Sequence, residues 1–183
     1  MVLAQRQDLP CYRVSDYEQW QGDWELIDGI PYAMSPAPNI AHQLISANIH
    51  GQLFQRLAHC CHCKPLLPVD WKIDDETVVQ PDNLVVCGKV SGQYLTKTPV
   101  IIFEILSKST ARKDQRLKFE LYQQEGVSYY IMVNPESGIA KLFRRNRDGW
   151  LIKEGDFSHE TYPFKLPQGC DFEFNFAAIW PES

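Results

Sequence analysis

Gln80-Pro81-Asp82, followed by Leu84-Val85-Val86 and, after a Gly-bearing loop, by Val100-Ile101-Ile102-Phe103-Glu104-Ile105-Leu106, is the stretch whose reading decides the fold. The second run is short, apolar and β-branched, the pattern of a strand buried on both faces. Such strands belong to α/β sheets rather than to half-solvated hairpins. One charged residue, Glu104, interrupts it near its end. A carboxylate there is costly unless a cation or several donors meet it. Ser107-Lys108-Ser109-Thr110 then leads into a polar helix, in which Asp114, Lys118 and Tyr122 follow one another at four-residue spacing and share a face.

A metal site accounts for these features together. Asp82 stands at the mouth of one strand and Glu104 in the next, and two converging carboxylates suit Mg²⁺ or Mn²⁺. A nearby lysine can stabilise charge developing on a phosphorus centre or orient a water. The competing structural reading is that Asp82 caps a turn and Glu104 pairs with an arginine, since structural ion pairs are common.

The order Pro-Asp, apolar strand with Glu, helix with Lys resembles the PD-(D/E)XK nuclease superfamily. The wording is nearest to the Uma-two family of restriction-endonuclease-like proteins. The matching segments are Met34-Ser35-Pro36-Ala37-Pro38 with His42, Val79-Gln80-Pro81-Asp82, and Glu104-Ile105-Leu106-Ser107 with Ser109-Thr110. Asp114, Lys118, Leu121-Tyr122 and Gly126-Val127 continue them, so the resemblance covers roughly residues 20 to 155. It implies a restriction-endonuclease-like α/β fold, a mixed central sheet flanked by helices, and a metal-dependent endonuclease hydrolysing DNA phosphodiester bonds. Asp82 and Glu104 would bind Mg²⁺ or Mn²⁺, with the Ile105 backbone carbonyl as an additional ligand. The resemblance also brings Glu25, in an N-terminal strand, toward the metal site, and gives His42 a site role.

Three departures stand out. The superfamily places Lys two residues after the strand acid, where this chain has Leu106. Lys108 and Lys118 are the available substitutes; the family commonly reads Ser-Pro-Ser-Thr at Ser107-Lys108-Ser109-Thr110, which favours Lys118. The family's Glu and Asp are replaced by Tyr129 and Asn134. A catalytically silent nuclease-fold module that binds nucleic acid or protein is therefore the alternative reading.

The bulk numbers set the frame. A chain of 183 residues, 44% hydrophobic and 22% charged, reads as one domain spanning 1–183 with an ordinary globular composition. Residues 1–12 read as a loose arm without a basic-then-apolar signal pattern, which points to a cytoplasmic protein. No apolar run approaches membrane-span length. The net charge of −5 argues against strong non-specific nucleic-acid binding but leaves room for local basic clusters. Lys108, Arg112, Lys113, Arg116 and Lys118 form one, and Lys141, Arg144, Arg145 and Arg147 another. Cys11, Cys60, Cys61, Cys63, Cys87 and Cys170 show no regular framework and read as free thiols. His59-Cys60-Cys61-His62-Cys63 lacks an evident second ligand pair for zinc and reads as a helix end.

Other elements follow from local chemistry. Ser15 with Glu18 makes a capping-box pattern, and Asp28-Gly29 between apolar runs predicts a hairpin. Ile45, Ile49, Leu53 and Leu57, broadened by Ile40 and Leu44, predict a helix over 40–58. Leu66 to Ile73 and Thr77 to Val86 read as strands, with Asp70 either a further acid near the site or a turn-proximal charge. Tyr129 to Val133 is a buried strand, and Ile139 to Arg145 with Trp150 to Lys153 a hairpin. Alternating Phe172, Phe174 and Phe176 mark an edge strand, an interface or core packing. Cutting both strands of DNA needs two sites, so a homodimer is expected.

Overall fold

A computed structural model describes residues 10–34, 38–107 and 112–181, without the side chains of 112–115. The elements, in chain order, are α1 (Val14–Tyr17), β1 (Trp24–Ile27), β2 (Ile30–Ala33), α2 (Ile40–Arg56), β3 (Cys63–Leu66), β4 (Trp71–Lys72), β5 (Val78–Val79), β6 (Asn83–Cys87) and β7 (Ile101–Ile105). Then come α3 (Arg112–Gln124), β8 (Tyr129–Asn134), β9 (Ile139–Arg145), β10 (Leu151–Phe157), β11 (Thr161–Phe164) and β12 (Phe172–Asn175). The central sheet has six strands in the order β10-β9-β8-β7-β6-β3. It is mixed: β7 and β8 are parallel and their other neighbours antiparallel. This is the expected α/β class.

Alternation along β7 sorts its side chains onto two cores. Ile101, Phe103 and Ile105 join Ile45, Ile49 and Leu53 of α2 and Val85 of β6 on one face. Ile102 points the other way, into a core with Leu121 and Tyr122 of α3, Leu84, Tyr130 and Trp71. Glu104 shares the face of Ile102, so the one acid of β7 lies under α3. Parallel strands need a crossover, and α3 supplies it between β7 and β8. Gly126, at φ +84°, ends the crossover helix in a left-handed conformation that favours glycine.

A four-stranded sheet, β2-β1-β5-β4, adds to the α3 side. Asp28 (φ 51°) and Gly29 (φ 74°) make the tight turn between β1 and β2 as the Asp-Gly signal predicts. On the opposite face, the β11–β12 pair packs Phe164, Phe172 and Phe174 into the α2 core. The Phe stripe is thus core packing rather than an exposed interface.

Several expectations are corrected. The helix that Ser15 was expected to cap starts at Val14, and Asp16 accepts a 2.8 Å bond from the Arg13 N–H. Ile40 and Leu44 are 79% and 46% exposed, because each lies one residue, or about 100°, off the Ile45-Ile49-Leu53 stripe. The run 66–73 is not one strand: β3 ends at Leu66 and β4 holds only Trp71–Lys72. The run 77–86 breaks at Pro81, which lacks an N–H, into β5 and β6. Tyr12 is anchored rather than loose: its N–H donates to the Gly29 carbonyl and its ring packs on Trp20. The remainder of the expected arm, residues 1–9, lies outside the described residues, as do Ser35 to Ala37 of the Pro-rich loop.

The cysteines depart most from expectation. Cys60 is disulfide-bonded to Cys170 and Cys63 to Cys87, while Cys11 and Cys61 are free and exposed. The reason is register. Antiparallel pairing of β3 with β6 sets Cys63 opposite Cys87, with Cα atoms 4.0 Å apart. The turn at Pro167–Gly169 returns Cys170 to Cys60.

Candidate active site

Pairing of β6 with β7 sets Asn83 opposite Phe103 and Leu84 opposite Ile102. One step further in the same register, Asp82 faces Glu104. Residues directly opposite in an antiparallel pair present their side chains on the same face. The register therefore brings the two acids read from the sequence to the same end of the sheet, close enough for the Asp82 charge to act on Glu104. Asp82 is held at both oxygens: Oδ2 accepts from the Ile105 N–H at 2.7 Å, and Oδ1 lies 3.2 Å from His42 Nε2. The Ile105 backbone also favours the protonated form of the His42 imidazole. His42 is in the first turn of α2, where the Asn39 side chain accepts from its N–H at 2.9 Å and fixes the helix start.

Glu104 is gripped from α3. The Tyr122 hydroxyl donates to Oε1 at 2.6 Å and Lys118 Nζ donates to the same oxygen at 3.1 Å. Lys118 also reaches Glu25 Oε1 on β1, at 2.8 Å. Glu25 in turn accepts from the Gln80 N–H at 2.8 Å. The side chains of Lys118, Glu25 and Glu104 are only 15%, 9% and 12% exposed. Four elements thus converge: β1 with Glu25, the approach to β6 with Gln80 and Asp82, β7 with Glu104, and α3 with Lys118 and Tyr122.

The electrostatics follow from burial and crowding. Burial pushes the Glu104 carboxyl up to about 7 against the pull of Lys118, and the nearby charges of Asp82 and Glu25 add to the rise. Burial alone would lower the Lys118 pKa, but Glu104 and Glu25 reverse that and hold it above the ordinary lysine value. For His42 burial again works downward, and the hydrogen bond and charge of Asp82 raise it overall. Tyr122 is raised by burial and by Glu104, so it stays a hydroxyl donor.

The oxygen-rich donor set fits a hard divalent cation. Asp82, Glu104 and the Ile105 backbone meet at one corner, and both bonds to Glu104 fall on Oε1 rather than Oε2. Among the described residues, the group of three His, Cys, Asp or Glu ligand atoms within 4.8 Å of one another lies elsewhere, at Cys60, Cys63 and Cys170. A Mg²⁺ ion takes one or two protein carboxylates and keeps several waters.

Other named residues lie elsewhere or differ in role. Asp70 accepts from the Tyr17 hydroxyl at 2.9 Å and from Gln80 Nε2 at 3.0 Å, and lines an aromatic cleft with Trp20, Trp24 and Tyr94. It is not a further acid at the Glu104 corner. Lys108 and the Asp114 side chain lie outside the described residues. Of the basic clusters, Lys118 is buried in the site, Arg116 pairs with Glu120, and Arg145 donates to the Gln123 carbonyl. The sequence reading missed Asn83, buried beneath the site, whose Nδ2 donates to Ser46 of α2 at 2.8 Å. A lone Asn opening an otherwise apolar strand was the available signal.

Residues 14–174 match the model of the Uma2 family, described as "Putative restriction endonuclease". This chain belongs to the Uma2 family. A relative, "Uncharacterized protein slr1290" of Synechocystis sp., is 30% identical over 165 residues, covering 82% of this chain and 85% of that one. The fold is shared with a crystal structure described as a "putative nuclease belonging to DUF820" from Anabaena variabilis. Its TM-score is 0.73 at 13% identity, over 91% of this chain and 96% of that one. Among the described residues of this Uma2 chain, no helix is long and apolar enough to cross a membrane.

Proposed function

We propose that this Uma2 protein is a metal-dependent endonuclease of the PD-(D/E)XK type, hydrolysing phosphodiester bonds in DNA. The observation that carries the reading is the convergence of Asp82 and Glu104 across β6 and β7, with Lys118 buried between Glu104 and Glu25. Asp82, Glu104 and the Ile105 carbonyl would hold Mg²⁺ or Mn²⁺. When bound, such an ion lowers the pKa of a water and neutralises charge on the phosphoryl oxygens.

The chain's own groups divide the remaining work. Lys118 is a fixed cation rather than a base, because the two acids keep it protonated well above neutrality. It serves by donating hydrogen bonds to the attacking water and to the charge that grows on phosphorus. Glu25 positions Lys118 from the far side, and the Gln80 N–H positions Glu25. Tyr122 holds Glu104 by its hydroxyl as well as packing beside Lys118. In the reaction a water oxygen bonds to phosphorus, one P–O ester bond breaks, and the leaving oxygen takes up a proton. Two copies of the chain would cut both strands, which makes a homodimer the expected assembly.

Leu106 in the usual lysine position and the net charge of −5 favour a second reading, a silent nuclease fold that binds nucleic acid or protein. Supercoiled plasmid incubated with Mg²⁺ or Mn²⁺ separates the two. The nuclease converts it to nicked or linear form, and Glu104→Gln abolishes conversion. Equal behaviour of wild type and Glu104→Gln overturns the enzyme reading. Calorimetric Mn²⁺ binding that is lost in Asp82→Asn supports the metal assignment, and binding that survives the change refutes it.

A further inference from the structure

Four cysteines gather at the end of the sheet remote from Asp82. Cys60 follows the end of α2, Cys63 opens β3, Cys87 closes β6 and Cys170 follows the turn at Pro167–Gly169. The sulfurs of Cys60, Cys63 and Cys170 all lie within 4.8 Å of one another, and that of Cys87 is bonded to Cys63. Five residue steps along β6 lead from Asp82 to Cys87, about 17 Å at 3.3 Å per residue. The nuclease site neither uses nor touches this cluster.

We propose that the four thiols, when reduced, form a zinc site, and that the two disulfides are its oxidised state. The spacing Cys60-x-x-Cys63 is that of a zinc knuckle, and the second ligand pair missing from the local sequence is supplied by Cys87 and Cys170 through the fold. The Cys63 N–H donates to Cys60 Sγ at 3.0 Å, a bond that stabilises a thiolate and sets the knuckle's turn. A tetrahedral centre with bonds of about 2.3 Å needs sulfurs about 3.8 Å apart; the sulfurs of Cys60, Cys63 and Cys170 already lie within 4.8 Å of one another, and reduction lets each bonded pair part to that distance. Two lysines border the cluster and offset its negative charge: Lys64 Nζ donates to the Cys60 carbonyl at 3.3 Å, and Lys97 Nζ lies over Gly88, next to Cys87. Cys63 is buried and the other three are half-buried, so the ion is shielded but reachable.

The two states interconvert with balanced chemistry. Each disulfide takes two electrons and two protons from a pair of small thiols, giving two cysteine thiols and one small-molecule disulfide. Zn²⁺ then binds the four sulfurs and releases their four protons. In reverse, two equivalents of a small disulfide oxidant take up four electrons from the four thiolates, restore both protein disulfides and release Zn²⁺.

The test uses the full chain, reduced with excess dithiol, desalted without oxygen and titrated with Co²⁺ or Zn²⁺. The expected result is about one metal per chain, with the intense sulfur-to-cobalt charge-transfer and visible bands of a tetrahedral thiolate site. Cys87→Ser and Cys170→Ser weaken binding at least about tenfold, while Cys11→Ser and Cys61→Ser leave it unchanged. The wild-type cobalt spectrum decides the matter even if a variant fails to fold. A fully reduced chain that takes up no metal overturns the proposal. So does cobalt bound without thiolate bands, or disulfides that a millimolar dithiol cannot open in the native protein.

Discussion

Replacing Lys118 by Met leaves two buried acids facing each other without their cation. At an effective dielectric constant of about 20, the 2.8 Å contact to Glu25 and the 3.1 Å contact to Glu104 are worth about 6 and about 5 kcal/mol of gross attraction. Most of that offsets the desolvation of the three groups, and breaking a buried pair from one side leaves a net loss of about 3–5 kcal/mol. Glu104, already pushed up to about 7, escapes part of the penalty by taking a proton, so the loss falls near about 3 kcal/mol. With a urea slope of about 2 kcal/mol/M, the unfolding midpoint of metal-free protein drops by about 1.5 M. The deficit depends on pH with a definite sign. Without Lys118 the folded-state pKa of Glu104 rises further, so the folded variant binds extra protons. Its stability is greatest below the ordinary carboxyl pKa and is lost as pH rises through the raised one; the deficit is larger at about pH 8 than at about pH 5. Adding Glu104→Gln removes one stranded charge and recovers at least about 1 kcal/mol in a double-mutant cycle. A midpoint shift below about 0.3 M, or additivity of the two substitutions within about 0.5 kcal/mol, refutes the buried network.

Two further outcomes follow from the structure. Asn39→Ala removes the cap that fixes the first turn of α2 and costs about 1 kcal/mol, read as a fall of about 2–4 °C in the thermal midpoint; an unchanged midpoint refutes the capping role. Burial and neighbouring acids raise Tyr17, Tyr94, Tyr122, Tyr130 and Tyr162, the last to about 12. The unfolded chain therefore loses these protons first, so stability falls as pH rises above 10, and the tyrosinate absorbance of these five residues should appear together with loss of the fold rather than before it.

Strands buried on both faces were legible because their identity is written locally. Ile101–Ile105, broken only by Glu104, and Tyr129–Asn134, apolar up to its final Asn, carry runs that no exposed element would tolerate. The Glu104–Lys118–Tyr122 contact was legible for a similar reason, since four-residue spacing commits Lys118 and Tyr122 to one helical face. The cysteine pairing was not, because it depends on the β3–β6 register and on a return of the chain 110 residues later, neither of which leaves a local mark. Short strands such as β4 and β5 were blurred into longer ones, since two paired residues carry too little pattern to show their ends. The true path of the α2 stripe was hidden by Ile40 and Leu44, whose side chains are as apolar as the buried ones but sit off the buried face.

The place of Lys118 in the fold has a topological explanation. Leu106 follows Glu104 by two residues and is half-buried, its N–H donating to the Val133 carbonyl of β8. The chain need not place the cation there, because β7 and β8 are parallel neighbours and the connection between them must pass back over the sheet. That connection is α3, which lies on the face to which Glu104 points. A lysine 14 residues downstream thereby arrives at the same oxygen, with Tyr122 one turn further along to hold it. The arrangement also binds Glu25, drawing β1 into contact with α3 across the acid pair. A strand lysine beside the acid would require nothing of the helix, whereas this one makes the site depend on the packing of α3, β1 and β7 at once. Disturbing that packing anywhere should therefore be felt at Glu104 before it is felt in the sheet.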